Sequence, residues 1–316
     1  MAEKIKIGIS RCLLGDKVRY DGGHKWDRFI TDTLGLYLKW VPVCPEVECG
    51  LGVPREAMHL EGNPANPRLV TIQTKIDHTE KMKVWAGKRI DDLEKEELCG
   101  FIFKSGSPSS GMERVKIYGE SGRPAKSGVG IFAKEFMTRF PLLPVEDEGR
   151  LHDPQLRENF IERIFTLKRW RVVATQKGGL KSLIDFHTRH KFLILSHSRR
   201  HYQEMGRLVA RSDPTPLKER METYQKLLLE ALRLKSTPKK QADVLSHLGG
   251  FFKKEWSAVE KQEWLEIINQ YKKGLFPLIV PITLLLHYIR KYDQPYLKNQ
   301  YYLEPHPLEL KLRHHV

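Results

Sequence analysis

The chain has 316 residues, 40% hydrophobic and 29% charged, with a formal net charge of +15, a balance that fits a soluble chain of two ordinary domains and excludes a disordered one. No apolar run approaches the ~20 residues a spanning helix needs; the longest, "GLFPLIVPITLLL" at 274–286, is interrupted by Pro277 and Pro281. Four cysteines, and an N-terminus that enters a strand pattern with no signal peptide, point to a reducing cytoplasm, where clustered thiols serve more often as metal ligands or catalytic groups than as a bridge.

In chain order, "KIKIGIS" (4–10) reads as a strand, "GHKWDRFITDTLGLYL" (23–38) as a helix and "WVPVC" (40–44) as a second strand. "RLVTIQT" (68–74) is a third strand, followed by a charged helix over 78–98, a fourth strand "GFIFK" (100–104), a helix over 128–140 and a short "PLLPV". Strands alternating with helices predict an α/β domain with a mainly parallel, Rossmann-like sheet over 1–147. The segment "PVEDEGRLHDPQ" is the linker. Beyond it, runs such as "LRENFIERIFTLKRWRVV" have helical periodicity, which predicts an all-α domain over 148–316.

The charge is unevenly spread. Residues 1–150 hold 24 Lys+Arg against 22 Asp+Glu, whereas residues 151–316 hold 30 against 17, with ten of the thirteen histidines. A basic second half is the electrostatic footprint of a phosphate-backbone binder, or a solvated basic surface.

In an open α/β sheet, ligands bind outside the carboxyl ends of the strands. Three loops stand at such ends: "SRCLLGDKVRYDGG", "CPEVECGLGVPRE" and "SGSPSSGMERV". If their strands are neighbours, Cys12, Cys44 and Cys49 converge, a separation pattern unlike a zinc ribbon and suited to an iron–sulfur cluster. Cys99 begins its strand and falls roughly 16 Å from that edge, where it reads as a small core residue.

These loops resemble the three motifs of the TudS-type thiouracil desulfidases, and "LIDFHTRHKFLILSHS", "FFKKEW" and the final "YLKNQYYLEPHPLELKLRHH" resemble the YbgA-like domain often fused to them. The resemblance spans essentially the whole chain. It implies a 4Fe-4S cluster on three cysteines with one iron open, and non-redox removal of sulfur from thiolated uracil, with tRNA thiouridine as the substrate of fused members. An open iron would act as a Lewis acid toward the thiocarbonyl sulfur, and a carboxylate would activate water. Glu46 is the candidate base and Glu48 the alternative, each with an ion pair to Arg55 or Arg11 as the competing role. Many simple family members carry cysteine where this chain has Ser110, so Cys49 is the expected third ligand beside Cys12 and Cys44, with Cys99 behind it.

Ser107, Ser109 and Ser110 form a turn able to cradle a uracil oxygen or a phosphate, and the resemblance makes Ser107 a substrate contact. Arg19, Tyr20 and Asp21 flank the Cys12 loop, Tyr20 as a stacking surface and Asp21 as a substrate contact or a cap. In the second half, His187, His190, His197 and His201 follow helical spacing, and this stripe, with Arg189, Lys191, Arg199 and Arg200 alongside, is expected to face RNA; a metal site is the alternative. Tyr292, Tyr296, Tyr301 and Tyr302, interleaved with Arg/Lys, suit unstacked bases or tail docking. The function expected is desulfuration of thiouridine in tRNA, without a membrane or an obligate protein partner. Alternatives are a desulfidase for free thiouracil or a nucleotide, and an RNA-binding module with a structural metal.

Overall fold

The computed structural model describes residues 4–119, 123–176, 178–212 and 214–315, and the chain divides into two compact units, Met1–Leu156 and Arg157–Val316. In the first, β1 (Ile5–Ser10), β2 (Leu38–Val43), α1 (Pro45–Glu48), β3 (Met58–Glu61), β4 (Arg68–Thr71), α2 (Thr79–Lys95), β5 (Phe101–Phe103), β6 (Val115–Tyr118), β7 (Pro124–Gly128), α3 (Ile131–Arg139) and β8 (Val145–Asp147) follow in order. One sheet runs β2-β1-β5-β8 with every pair parallel. The expected α/β class with a parallel sheet is therefore present.

Parallel strands put their carboxyl ends on one edge. Here Ser10, Val43, Phe103 and Asp147 end there, so the loops after β1, β2 and β5 are neighbours. The helices α2 and α3 cover the sheet through Ala86, Ile90, Leu93, Phe132 and Phe136, which pack with Phe101 and Phe103. Phe101 and Phe136 ring centroids lie 4.8 Å apart. Gly8 is required beneath this layer, because a Cβ there would meet the Phe101 ring at 2.2 Å.

Three expectations are corrected. "RLVTIQT" does form a strand, β4, but in a second sheet of order β4-β3-β6-β7, antiparallel to β3. Strands β3, β6 and β7 of that sheet have no counterpart in the sequence reading. They are four or five residues long, and β7 is exposed along most of its length, which leaves little alternation to read. The helix expected over 23–38 is replaced by an irregular stretch, a wide π-type turn at Phe29–Thr33 and a tight 3-10 turn at Leu34–Leu36. Lys25 and Asp27 give their N–H groups to the carbonyls of Cys12 and Leu13 at 2.9 and 3.0 Å, which withdraws them from helical bonding.

The second unit contains the rest of α4 (Pro154–Thr175), then α5 (Gly179–His197), α6 (Arg199–Ala210), α7 (Leu217–Arg233), α8 (Pro238–Gly249), α9 (Ala258–Lys272), α10 (Ile279–Lys291) and the single turn α11 (Pro295–Lys298). Among the described residues it has no strand, and no helix of the chain is long and apolar enough to cross a membrane. Ser198 separates α5 from α6. Its backbone is extended, and its hydroxyl caps α6 by accepting from the His201 N–H.

The break separates His201 from the other three histidines, and burial overturns the stripe. His190 and His197 are 1% exposed and His201 is 5% exposed. His190 meets the Phe186 carbonyl at 2.8 Å, His197 meets the Leu234 carbonyl and Glu162, and His201 meets Ser198 Oγ at 2.8 Å. Buried imidazoles held by protein partners do not face RNA, and His201 leaves the RNA-contact set. The tail tyrosines dock the tail: Tyr302 is fully buried with its hydroxyl on Gln241, and Tyr301 stacks on His190 with centroids 4.4 Å apart. Arg199 and Arg200 are exposed, whereas Arg189 and Lys191 are half-buried beside Tyr301 and Tyr296 respectively.

Candidate active site

At the shared strand edge a cavity of about 360 Å³ is lined by residues of the three converging loops, with Ala57, Met58 and Ile72 as an apolar wall. Cys12, Arg19, Tyr20, Cys44, Glu46, Ser107, Ser109 and Ser110 all line it.

Cys12 lies in the short turn Arg11–Leu14 directly after β1. Gly15 closes that turn at φ +96°, a conformation that favours glycine. Cys44 follows β2 at the N-cap of α1, where its N–H is taken by Glu48 Oε1 at 2.7 Å. The serine loop is fixed from behind. The first N–H groups of α3 have no partner inside their own helix, and Ile131 and Ala133 instead donate to the carbonyls of Pro108 and Ser109. A Cβ on Gly130 would lie 2.5 Å from Ser109, so only glycine allows this approach.

The α1 turn decides which side chains enter. At about 100° per residue, Glu46 and Glu48 point some 160° apart, while Cys44 precedes the turn in extended backbone and Cys49 follows it. Glu46 turns into the cavity. Its Oε2 is held by Arg55, with Nε at 2.9 Å and a second, shorter contact from Nη2, and its Oε1 accepts from Ser109 Oγ at 2.7 Å. Ser109 and Ser107 hydroxyls are 3.1 Å apart. Ser107 Oγ also accepts from the N–H groups of Ser109 and Ser110. Arg55 further donates to the carbonyls of Val18 and Gly52, so one guanidinium joins the loops that carry Cys12, Cys44 and Glu46. Glu48 pairs with Arg89 at 3.1 Å and stays outside the cavity.

Cys49 is the main correction. It is 7% exposed and packs among Leu60, Leu69, Met82, Val115, Ile117 and Ile131. It therefore serves as a small core residue, with its thiol donating to the Glu46 carbonyl at 3.3 Å. Cys99 is also buried, at the opposite end of β5, its N–H donating to the Lys6 carbonyl. Asp21 does not line the cavity; it accepts from the Gly23 N–H at 3.0 Å and pairs with Arg19, which shapes the loop.

Burial pushes the Cys12 thiol up to about 11, against a smaller opposite pull from the Lys104 charge, and burial also raises Cys44. As free side chains both stand protonated at neutral pH, and they become strong donors when a bound cation takes the proton's place. The cavity offers an iron–sulfur group two thiols, Cys12 and Cys44, one fewer than the three-cysteine set expected, with Ser110 in the same lining. Among the described residues, neither thiol belongs to a group of three donors within 4.8 Å; the group that does is Glu158, Glu162 and His306 in the helical unit. There Arg313 already pairs with both carboxylates, and a second cation would meet its charge.

The sequence reading missed Lys104 and Glu148. Lys104 lines the cavity, donates its backbone N–H to Ser10 Oγ at 2.9 Å, and its ammonium is held by Glu148 and Ser105. Both residues stand just past the carboxyl ends of adjacent strands β5 and β8, a signal the switch-point rule contains.

Residues 7–148 match the family model described as 2-thiouracil desulfurase, and residues 191–307 match the one described as a protein of unknown function, DUF1722. The uncharacterized protein YbgA of Escherichia coli (strain K12) is 30% identical over 153 residues, 48% of this chain and 90% of YbgA. A solved structure of the [4Fe-4S]-dependent thiouracil desulfidase TudS is 30% identical, matched over 48% of this chain and 95% of its own, with a TM-score of 0.39. The chain belongs to the family of YbgA and carries a 2-thiouracil desulfurase domain followed by a DUF1722 domain.

Proposed function

We propose that this chain removes sulfur from a thiolated uridine in tRNA, exchanging a ring C=S and water for C=O and hydrogen sulfide with no net redox change. The observation that carries the reading is one carboxylate, Glu46, held between Arg55 and Ser109 in the same cavity as the thiols of Cys12 and Cys44. Cys12 and Cys44 would hold a 4Fe-4S cluster, the cofactor named for TudS. Bound there, it supplies a Lewis-acidic iron for the thiocarbonyl sulfur.

The remaining work belongs to the chain's own groups. Glu46 accepts a proton from the attacking water at a carboxylate oxygen, and Arg55 keeps that carboxylate from rotating away. Ser107 and Ser109 offer hydroxyls to the uracil ring, and Ala57, Met58 and Ile72 restrict water to one side of the cavity. RNA as the carrier of the base is supported by the surplus of 13 positive charges in residues 151–316 and by exposed Arg199 and Arg200 at the start of α6, with half-buried Arg189 and Lys191 on the preceding α5. A base within folded RNA would have to be turned out to enter.

The test is anaerobic purification with iron and sulfide measured, followed by sulfide release from thiolated tRNA and from free thiouracil at equal concentration. Faster release from tRNA supports the reading. Release from the free base alone moves the substrate to the small molecule, and stoichiometric zinc without iron removes the desulfidase.

A further inference from the structure

The irregular stretch that replaces the expected helix carries a second aromatic surface outside the cavity. Trp26 is 48% exposed, yet it is held in place. Its indole N–H donates to Thr31 Oγ1 at 2.9 Å. Its ring lies against Gly15, where an added Cβ would come within 3.6 Å of it. The neighbouring N–H groups of Lys25 and Asp27 bond to the carbonyls of Cys12 and Leu13, so the indole rides on the loop that bears a proposed cluster ligand. The Arg28 guanidinium stands 5.3 Å from the Trp26 ring, as Arg19 stands 5.5 Å from the Tyr20 ring. Lys17, Lys25 and Arg28 are all exposed.

An ordered, half-exposed indole beside an exposed guanidinium leaves apolar area in water that a packed helix would have buried. Such a pairing matches the chemistry of an unstacked base with its phosphate, because every base has a π-face and the cation takes the backbone charge. Trp26 does not line the cavity, so a lone uracil inside it would not reach the indole. Its chain neighbour Lys25 bonds to the carbonyl of Cys12, which does line the cavity, so the indole belongs to the loop at the cavity's rim.

We propose that Trp26, Arg28 and Lys25 form a platform for the nucleotide next to the one whose base enters the cavity, the indole stacking on the base and the two cations meeting its phosphate. This rests on the desulfidase reading and names its substrate class as a polynucleotide rather than a free base. The platform belongs to the α/β unit itself and is independent of whatever RNA contact the helical unit makes.

The experiment compares, on the anaerobically prepared full chain, the affinity for 4-thiouridine monophosphate with that for a trinucleotide carrying the same central base. One stacked base changes affinity roughly 5- to 150-fold. The trinucleotide is therefore expected to bind at least fivefold tighter, Trp26→Ala to abolish that gain, and Trp26→Phe to keep most of it. Arg28→Gln leaves the indole in place, and is expected to lower both the gain and its salt dependence. It serves as the independent variant if Trp26→Ala does not fold. Equal affinity for the two ligands in the unaltered chain, or a gain that survives Trp26→Ala and Arg28→Gln, overturns the platform. Sulfide release is read separately. A trinucleotide bound through Trp26 but never desulfurated sinks the desulfidase reading and leaves the platform standing.

Discussion

Replacing Arg55 by alanine is the perturbation whose size the structure sets most clearly. The guanidinium is 7% exposed and Glu46 is 14% exposed, so water screens the pair weakly. Truncation leaves the Glu46 carboxylate with Ser109 as its remaining side-chain partner and removes the donor from the Val18 and Gly52 carbonyls. Breaking a buried pair from one side costs about 3–5 kcal/mol, a large share of the roughly 5–15 kcal/mol that holds a domain together. For a unit of this size that corresponds to a melting shift of about 6–20 °C. Lysine restores charge but not the forked contact, and should recover part of the loss. The assay is differential scanning calorimetry of the full chain, with hydrogen exchange read at residues 16–20 and 44–55 to assign the transition. A loss under about 1 kcal/mol, or unchanged protection in those segments, would refute the view that this side chain ties the loops after β1 and β2 together.

Glu46→Gln keeps the shape of the site and removes its base, so sulfide release should fall about 100-fold or more while iron content holds; unchanged turnover on the same substrate ends the assigned role. Cys49→Val exchanges one small core residue for another and should leave iron unaltered, whereas Cys12→Ser and Cys44→Ser should each lose it, as read by iron and sulfide analysis. Ser110→Cys adds a third thiol at the cavity wall and should slow the loss of iron to a chelator; an unchanged rate means that position does not face the bound group. In the helical unit, burial lowers His187 and His306 to about 4. The unfolded chain takes up these protons near pH 6.5 and the folded one only near 4, so stability is lost as pH falls through that window, on the order of 2–3 kcal/mol for each residue. Urea titrations at pH 7 and pH 5 check this, and equal midpoints would contradict it.

Short-range pattern carries a good deal of this molecule. Apolar runs separated by amphipathic stretches suffice for the parallel sheet, because a strand followed by a crossover helix returns parallel to its neighbour. Once β1, β2 and β5 are parallel, their following loops must share an edge, which is why Cys12, Cys44, Glu46 and the serines could be grouped before any coordinates were known. The basic surplus of the second half is likewise a property of composition alone.

What local pattern leaves open is direction. Cys44 and Cys49 stand five residues apart in either reading, and only the one-turn helix α1 rotates the second thiol into the core beside Leu60 and Met82. The spacing of the histidines is helical throughout, yet Ser198 breaks the helix and the flanking helices enclose three of the four rings. Trp26 sits in a stretch whose apolar spacing suits a helix, but the Cys12 and Leu13 carbonyls compete for its neighbours' N–H groups and win, which leaves the indole at the surface. Residue type and period thus determined which chemistry this protein brings to one edge of a sheet. Which side chains turn toward that edge depended on hydrogen bonds between segments far apart in the chain, and those exist only once the tertiary structure has formed.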